Sequence, residues 1–539
     1  MKNLILVVAL FIISMNVKAQ WTSNTDINTE VSNYTNENMD IKSVALDNGR
    51  TAVVFWKVVS TGENYVLMIQ IIDANGNKEL GDEGQLISNT IPMSTYTNTW
   101  TLVTDNSSNI YVGITGTDGA AGIVFKLDNH ANYLWPSDGV SLGSGYSVTI
   151  LPLEDGNTLV SWMGGDYTSY IQKYDSNGDA VWAENLLTDP TGSTVPAALF
   201  ELSNGDFVSI YHQVVGYGIN SNLYSNRYTA NGEYVWANPV QISTKTTVFN
   251  TLYSPAQSAD TLFFGYVGKA NDRFDSHIQR INPDGTLPWG ENGLDFDVNE
   301  TDYEMDTRIA IEEGSEFLWA ICTYSNTEQS EQGESVQKFN ITEGTRLFTD
   351  NAKNLYPIGS EYTHNDKLFV YDDQAFFILK KGADDGVSET LLDVVSLDAN
   401  GDFVWTEESK PIASNIGTNK GQVQLNEAFN GQSVIVFAEN KGTGTNIYAQ
   451  KFIEESTGIR EEKEMIATKV VYTNPVKNNL YVQSESEIKN IKIVDITGRV
   501  VFIQNNILSK KINLNTSEWN KGLYILFINS DESYKIIKE

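Results

Sequence analysis

One short phrase recurs along the chain and constrains its fold more than any other feature. Its fullest form is Leu397-Asp398-Ala399-Asn400-Gly401-Asp402-Phe403-Val404-Trp405. Copies stand at Ile72-Asp73-Ala74-Asn75-Gly76, Tyr174-Asp175-Ser176-Asn177-Gly178, Tyr228-Thr229-Ala230-Asn231-Gly232 and Ile281-Asn282-Pro283-Asp284-Gly285. Looser copies stand at Leu127-Asp128-Asn129-His130, at Phe339-Asn340 with Gly344, and at Phe452-Ile453 with Gly458. Each reads as an apolar strand, an Asx/Gly turn with positive φ, and a second strand carrying an aromatic residue. Eight such hairpins at a spacing of about 54 residues mean a repeat architecture.

A second hairpin precedes each of these. Leu46-Asp47-Asn48-Gly49, Leu153-Glu154-Asp155-Gly156, Leu202-Ser203-Asn204-Gly205 and Ile311-Glu312-Glu313-Gly314 are its clearest turns. Two hairpins per unit make four strands, A to D. Four-stranded units repeated radially are the blades of a β-propeller, which leaves few exposed sheet edges. A string of sandwiches would need roughly 100 residues per unit, twice this period. The expected fold is therefore all-β: an eight-bladed propeller over residues 20–455, followed by a small C-terminal β-sandwich. The first residues after the leader lie without a gap on the sequence around Trp236. Trp21 then matches Trp236 and Ile27 matches Ile242. Residues 20–28 are thus expected to supply strand D of the last blade and close the ring.

Met1-Lys2-Asn3, the apolar run Leu4 to Ile13, and Val17-Lys18-Ala19 read as a signal peptide over residues 1–19, cleaved near Gln20. The run is shorter than the roughly 20 residues a membrane-spanning helix needs, and no second long apolar run follows. The formal charge of −33 argues against nucleic acid and anionic membranes as partners. It reads as a solubilising surface, and acidic loops that bind Ca²⁺ are the sharper alternative. No other cofactor or metal is expected. The single cysteine, Cys322, stands in an apolar strand and reads as a core residue.

Residues 456–467 read as a charged linker. From Lys463 onward there are 11 Lys/Arg against 8 Asp/Glu, a change of balance that marks a domain boundary. Residues 468–539 carry Asn474-Pro475, Gly498-Arg499, Gly522-Leu523-Tyr524 and Lys535-Ile536-Ile537-Lys538 between alternating apolar segments. This stretch closely resembles the type A C-terminal sorting domain of the type IX secretion system of the Bacteroidetes. The resemblance makes Asn474, Pro475, Gly498, Gly522, Tyr524, Lys535 and Lys538 its motif residues. It implies Sec export, a type IX translocon partner, and a product that is secreted or held on the outer-membrane surface. The repeat itself resembles bacterial extracellular propellers whose strand C reads Tyr-x-Gln-Lys, as in Tyr170-Ile171-Gln172-Lys173 and Tyr448-Ala449-Gln450-Lys451. Quinone dehydrogenases with eight blades need an adjacent cysteine pair, which one cysteine cannot supply. Sialidase Asp-boxes place the glycine three residues before the aromatic, whereas Gly401 lies four before Trp405.

Both Asx-Gly turn families fall on one face of such a fold, so the long B–C and D–A loops share the other. Asp166, Tyr167, Tyr217, Asp272, Arg273, Asp302, Tyr303 and Tyr362 lie in those loops and are the candidate ligand contacts. Tyrosines beside carboxylates suit a glycan or a protein partner. Catalytic residues are not assigned. The chain has no Gly-x-Ser-x-Gly, no His-Glu-x-x-His and no P-loop, and its four histidines fall in different repeats. A non-catalytic binding module is the favoured reading, and a surface hydrolase of glycosidic bonds is the alternative.

Overall fold

The fold is that of a computed structural model, which describes residues 21–32, 38–60, 64–92, 100–117, 121–214, 220–248, 253–270, 273–383, 386–426, 432–442, 444–453, 471–472, 475–495, 499–529 and 532–539. The leader, the linker, Tyr217, Asp272, Asn474 and Gly498 lie outside the described residues. The chain divides into two compact units, Met1–Ile453 and Glu454–Glu539.

The first unit is built from antiparallel groups of four strands, numbered here as sheets 1 to 8 in chain order. Sheet 1 runs Asn38–Ala45, Thr51–Ser60, Asn64–Ile72 and Gln85–Ser88, each strand paired with the next. The B and C strands are buried on both sides, which is why they read as unbroken apolar runs such as Phe317–Ser325 rather than alternating ones. Sheets 4 and 5 depart from the pattern. The long strand Val240–Val248 reaches past its own sheet to pair Thr246 with Lys269 and Thr247 with Gly268, so the two join edge to edge.

There is no single core. Each pair of neighbouring sheets shares its own apolar cluster. Sheets 1 and 2 pack through Val54, Leu67, Val112 and Phe125, and sheets 5 and 6 through Phe263, Phe296, Leu318 and Phe339. The last sheet packs on the first in the same way, through Val436, Ile447, Val53 and Phe55. First strands of adjacent sheets are tied by side chains as well. Ser254 Oγ donates to the Ile309 carbonyl, and Asn426 Nδ2 donates to Ser43 Oγ at 2.8 Å across the join of sheet 8 to sheet 1.

The recurring phrase has a double use. Asp398 Oδ1 accepts the backbone N–H groups of Asn400 and Asp402, and Gly401 follows at φ 73°. The aromatic residue after the turn packs beneath the turn glycine of the next sheet. Trp135 lies against Gly178, Trp182 against Gly232, Trp236 against Gly285 and Phe348 against Gly401. Among the described turns sheet 2 is the exception: Ala131 stands in place of the glycine at φ 63°, and Leu80, packed against the same cluster, stands in place of Trp. The strand-C glutamine fastens the same segment. Gln172 accepts the Trp182 N–H and donates to its carbonyl, and Gln337 does likewise with Phe348 and Thr349.

Strand D of sheet 8 is Thr29–Glu30, paired with Ala449 and Tyr448. The N-terminal segment therefore completes the last sheet, but the gapless alignment is corrected. Trp21 and Trp236 both use Nε1 to reach the C–D turn of the next sheet, at Ala74 and Pro283. Between Trp21 and the strand, however, the chain is longer than between Trp236 and Val240. Val31, not Ile27, takes the buried place of Ile242, and Ile27 is 60% exposed. The extra residues form a turn closed by Asn28 N–H to the Asn24 carbonyl, with Asn28 Nδ2 bound to Gln450. Trp21→Ala is expected to cost about 2–3 kcal/mol, below the full core value because the ring is half-buried, read as a shift in the denaturation midpoint.

The second unit holds five strands among the described residues: Val471–Tyr472, Asn479–Asp495, Val500–Asn515, Gly522–Ile528 and Glu532–Lys538. Leu480–Val482 and Ile491–Asp495, which look like separate strands in sequence, belong to one strand carried through register shifts after Gln483. Its own core includes Leu480, Ile491, Ile493, Leu526 and Ile536. Gly522 pairs with Lys538 and Ile525 with Lys535, Tyr524 is buried, and Pro475 is exposed.

Candidate functional site

Among the described candidate residues, Asp166, Tyr167 and Asp302 lie in loops, whereas the expected loop positions of Arg273, Tyr303 and Tyr362 are corrected: they open the strands Arg273–Ile281, Tyr303–Glu304 and Tyr362–Tyr371. Asp166 and Tyr167 form the exposed tip of the sheet 3 B–C turn, with Tyr167 64% exposed at φ 64°. Asp166 accepts the Tyr170 hydroxyl at 2.7 Å and the Thr168 N–H. Tyr362 belongs to sheet 7, edge-on to Tyr356 and beneath Lys381. Arg273, Asp302 and Tyr303 come together where sheet 5 meets sheet 6. Arg273 is buried and donates to the Asp302 carbonyl at 2.9 Å, while Tyr303 packs edge-on to Phe274.

Beneath that junction lies a polar cluster with no counterpart in the sequence reading. Burial alone would raise the Asp275 carboxyl. Hydrogen bonds from His277 and Lys245 outweigh it and hold the group far below the ordinary carboxylate range. Asp297 and Glu304 sit beside it, 1% and 0% exposed, with the Arg273 guanidinium 3.5 Å from Glu304 as the nearest cation. Burial, then repulsion from Asp297, pushes Glu304 up to about 10, so it holds a proton at neutral pH. Tyr324 donates its hydroxyl to Asp297, and the Ser276 N–H donates to Glu304. Ligand atoms of Asp295, Asp297 and Glu304 lie within 4.8 Å of one another, as do those of Asp275, His277 and Asp295. The Asp297 and Glu304 carboxyls are occupied by protein donors.

A second buried set joins sheets 6 and 7. His364 lies between Asp306, at 3.2 Å, and Glu334, at 3.0 Å. Burial would lower its pKa, but the two carboxylates raise it to about 10. Both shifts have the same consequence. A group whose folded pKa is raised stabilises the fold fully below its unfolded pKa and loses that contribution as pH climbs to the folded value. Between about pH 6.5 and 10 the first unit should therefore become less stable. Glu304→Gln, which mimics the protonated acid, should remove about 1.4 kcal/mol per pH unit from that slope. Denaturation midpoints at pH 6 and 9 check this; a variant with the unchanged slope refutes the protonated Glu304.

Among the described residues, cavities open on the first unit, and two bear on the site. One, of about 630 Å³, is walled by the first strands of sheets 5, 6 and 7, with Arg308, Asp366 and Lys367 among its lining. The other, of about 950 Å³, lies on the loop side between sheets 7, 8 and 1. Its walls are the B–C loops at Gly386-Val387 and Asn440–Gly442, the D–A loop at Asn415–Asn419, and Asp40 and Gln422. Glu439, 1% exposed, is among its lining and is ion-paired with the fully buried Lys420. None of the residues singled out from the sequence lines it. The only signal there was the glycine- and asparagine-rich composition of three loops distant in the chain.

Residues 470–539 match the secretion system C-terminal sorting domain. The chain thus carries a type IX secretion signal, a system that implies the Bacteroidetes, and it is a secreted or cell-surface protein. No curated protein sequence matches the chain. Among solved structures, the Dos1 propeller is similar with a TM-score of 0.42 and 10% identity over 78% of this chain and 95% of that one. Puromycin hydrolase gives 0.39 and 12% over 78% of this chain, which spans only 62% of the hydrolase. An α-L-arabinofuranosidase from Lactobacillus brevis gives 0.29 and 10%, covering 48% of this chain and 94% of that one. At such scores the fold is argued from strand pairing and packing alone. No helix among the described residues is long and apolar enough to cross a membrane.

Proposed function

We propose that the first unit is an eight-bladed β-propeller acting as a non-catalytic binding module for an extracellular glycan or protein. In this reading residues 1–19 direct Sec export, and the C-terminal unit, a small sandwich, hands the protein to the type IX machinery. The packing of sheet 8 on sheet 1 supports the closed ring. The observation that carries the function is the open cleft on the long-loop side, set against the sealing of the perturbed carboxyls. A glycosidase needs two carboxyl groups about 5–10 Å apart that reach the sugar. Asp297 and Glu304, the pair with shifted protonation, are shut inside and hydrogen-bonded to the protein. Asp166 and Tyr167 present a second contact region at the sheet 3 loop, and Tyr217, Asp272, Asp302, Tyr303 and Tyr362 are further proposed contacts. Arg273 acts from below, holding the Asp302 carbonyl. A glycan array run beside a broad glycosidase screen on the full chain tests the reading. Retention without turnover is expected; release of reducing sugar would overturn it.

A further inference from the structure

We infer that the cleft between sheets 7, 8 and 1 is a site for neutral or amino sugars, with Glu439 as its polar anchor; this rests on the binding-module reading. Glu439 Oε1 is occupied, accepting from the Thr418 hydroxyl and from Asn415 Nδ2 at 3.0 Å. Oε2 is buried and accepts no hydrogen bond; it only faces the Lys441 ammonium at 3.3 Å. The ammonium balances its charge, but no N–H or O–H is aimed at it, and a ligand hydroxyl or ammonium reaching it from the cleft would supply that hydrogen bond.

The rest of the lining narrows the ligand class. Lys441 is already committed. Its Nζ donates to the carbonyls of Asp26 and Ile27 and to Asn28 Oδ1, and it lies over the Tyr448 ring. Its charge is therefore not free to hold an anion. Asp40 adds a second acid to the cleft, so sulfated or uronic sugars would meet repulsion. The exposed Gln422 side chain offers an amide donor and acceptor, and Asn440, whose Oδ1 accepts the Gly442 N–H, adds an amide donor, the pairing that sugar hydroxyls use. Val387 and Ile416, 84% and 75% exposed, stand in the surrounding loops and can cover the C–H face of a ring. Protein contacts draw most of their energy from aromatic and arginine anchors, and the described lining of the cleft contains neither. Its volume is that of a small-ligand site, about 300–1,000 Å³.

The test uses the full chain on an array of neutral, amino and acidic (sialylated or sulfated) oligosaccharides, with titration calorimetry on the retained ones. Binding is expected in the neutral or amino sets. Glu439→Gln should weaken it by about tenfold or more, the loss of one hydrogen bond to a charged group. Because that change also takes the carboxylate away from Lys420 and Lys441, the exposed variant Gln422→Ala, whose side chain carries none of these contacts, is the control. It should weaken binding similarly while melting like the parent. Retention of acidic glycans alone, or binding untouched by both variants, would overturn the assignment and leave the binding module standing. Failure to retain any glycan, with a protein partner footprinting elsewhere on the loops, would do the same. Release of sugar products would remove the module reading itself.

Discussion

Deletion of residues 469–539 is expected to strand the protein in the periplasm. The segment contains the matched sorting domain. It is also a separate compact unit with its own apolar core, so its removal takes away an address and leaves the sheets of the first unit intact. The end of the chain is held in place: the Val476 N–H donates to the Ile537 carbonyl, and the Glu539 N–H donates to the Val476 carbonyl. A point change should therefore act like the deletion. Leu526→Asp buries an unpaired carboxylate in that core, where Leu526 is fully enclosed, and costs several kcal/mol. Fractionation of the native host with immunodetection reads both variants. Normal amounts of truncated protein on the surface or in the medium would refute the sorting role.

Gly401→Val is expected to destabilise the first unit strongly. The position has φ 73°, which costs an L-residue about 1–2 kcal/mol, more when it is β-branched. A Cβ there would also stand 2.7 Å from the Phe348 ring of the preceding sheet. Phe348 packs edge-on to Trp319, so it has little room to retreat. Overpacking of that kind adds about 1–3 kcal/mol. The combined loss, about 2–5 kcal/mol, should appear as a lower urea midpoint. Gly314→Val is the informative partner, because it shares the positive φ but nothing stands within 4 Å of its Cβ. Equal losses at the two positions would show that the contact with Phe348 contributes nothing.

The histidines show where a sequence reading can stop and still be useful. Their dispersal over four repeats argues against a shared ligand set, and in the structure each meets different neighbours. His130 is exposed, while His212 bonds Ser221 and is pushed down to about 3 by burial. His277 bonds Asp275, and His364 is held by two carboxylates. That His364 is charged and His212 neutral could not be read from either local sequence, because the deciding groups sit on other strands.

What the sequence determined by itself is whatever depends on short stretches of chain. The Asx-Gly turns, the four-strand repeat, and the sorting motifs are local, since a turn needs only the φ and the side-chain acceptor at its own residues. Even the role of Trp21 was legible, because the match to Trp236 is a match of local pattern. Only the tertiary structure placed strand D of sheet 8 at Thr29–Glu30, because hydrogen-bond register is set by the partner strand rather than by the spacing from a tryptophan. Only the fold could show that Arg273 lies buried among carboxylates, whereas Asp166 and Tyr167, drawn from the same kind of loop, are exposed. The cleft follows the same logic. Asp40, Val387, Asn419 and Glu439 have nothing in common as sequence, and they meet because sheet 8 packs on sheet 7 on one side and on sheet 1 on the other.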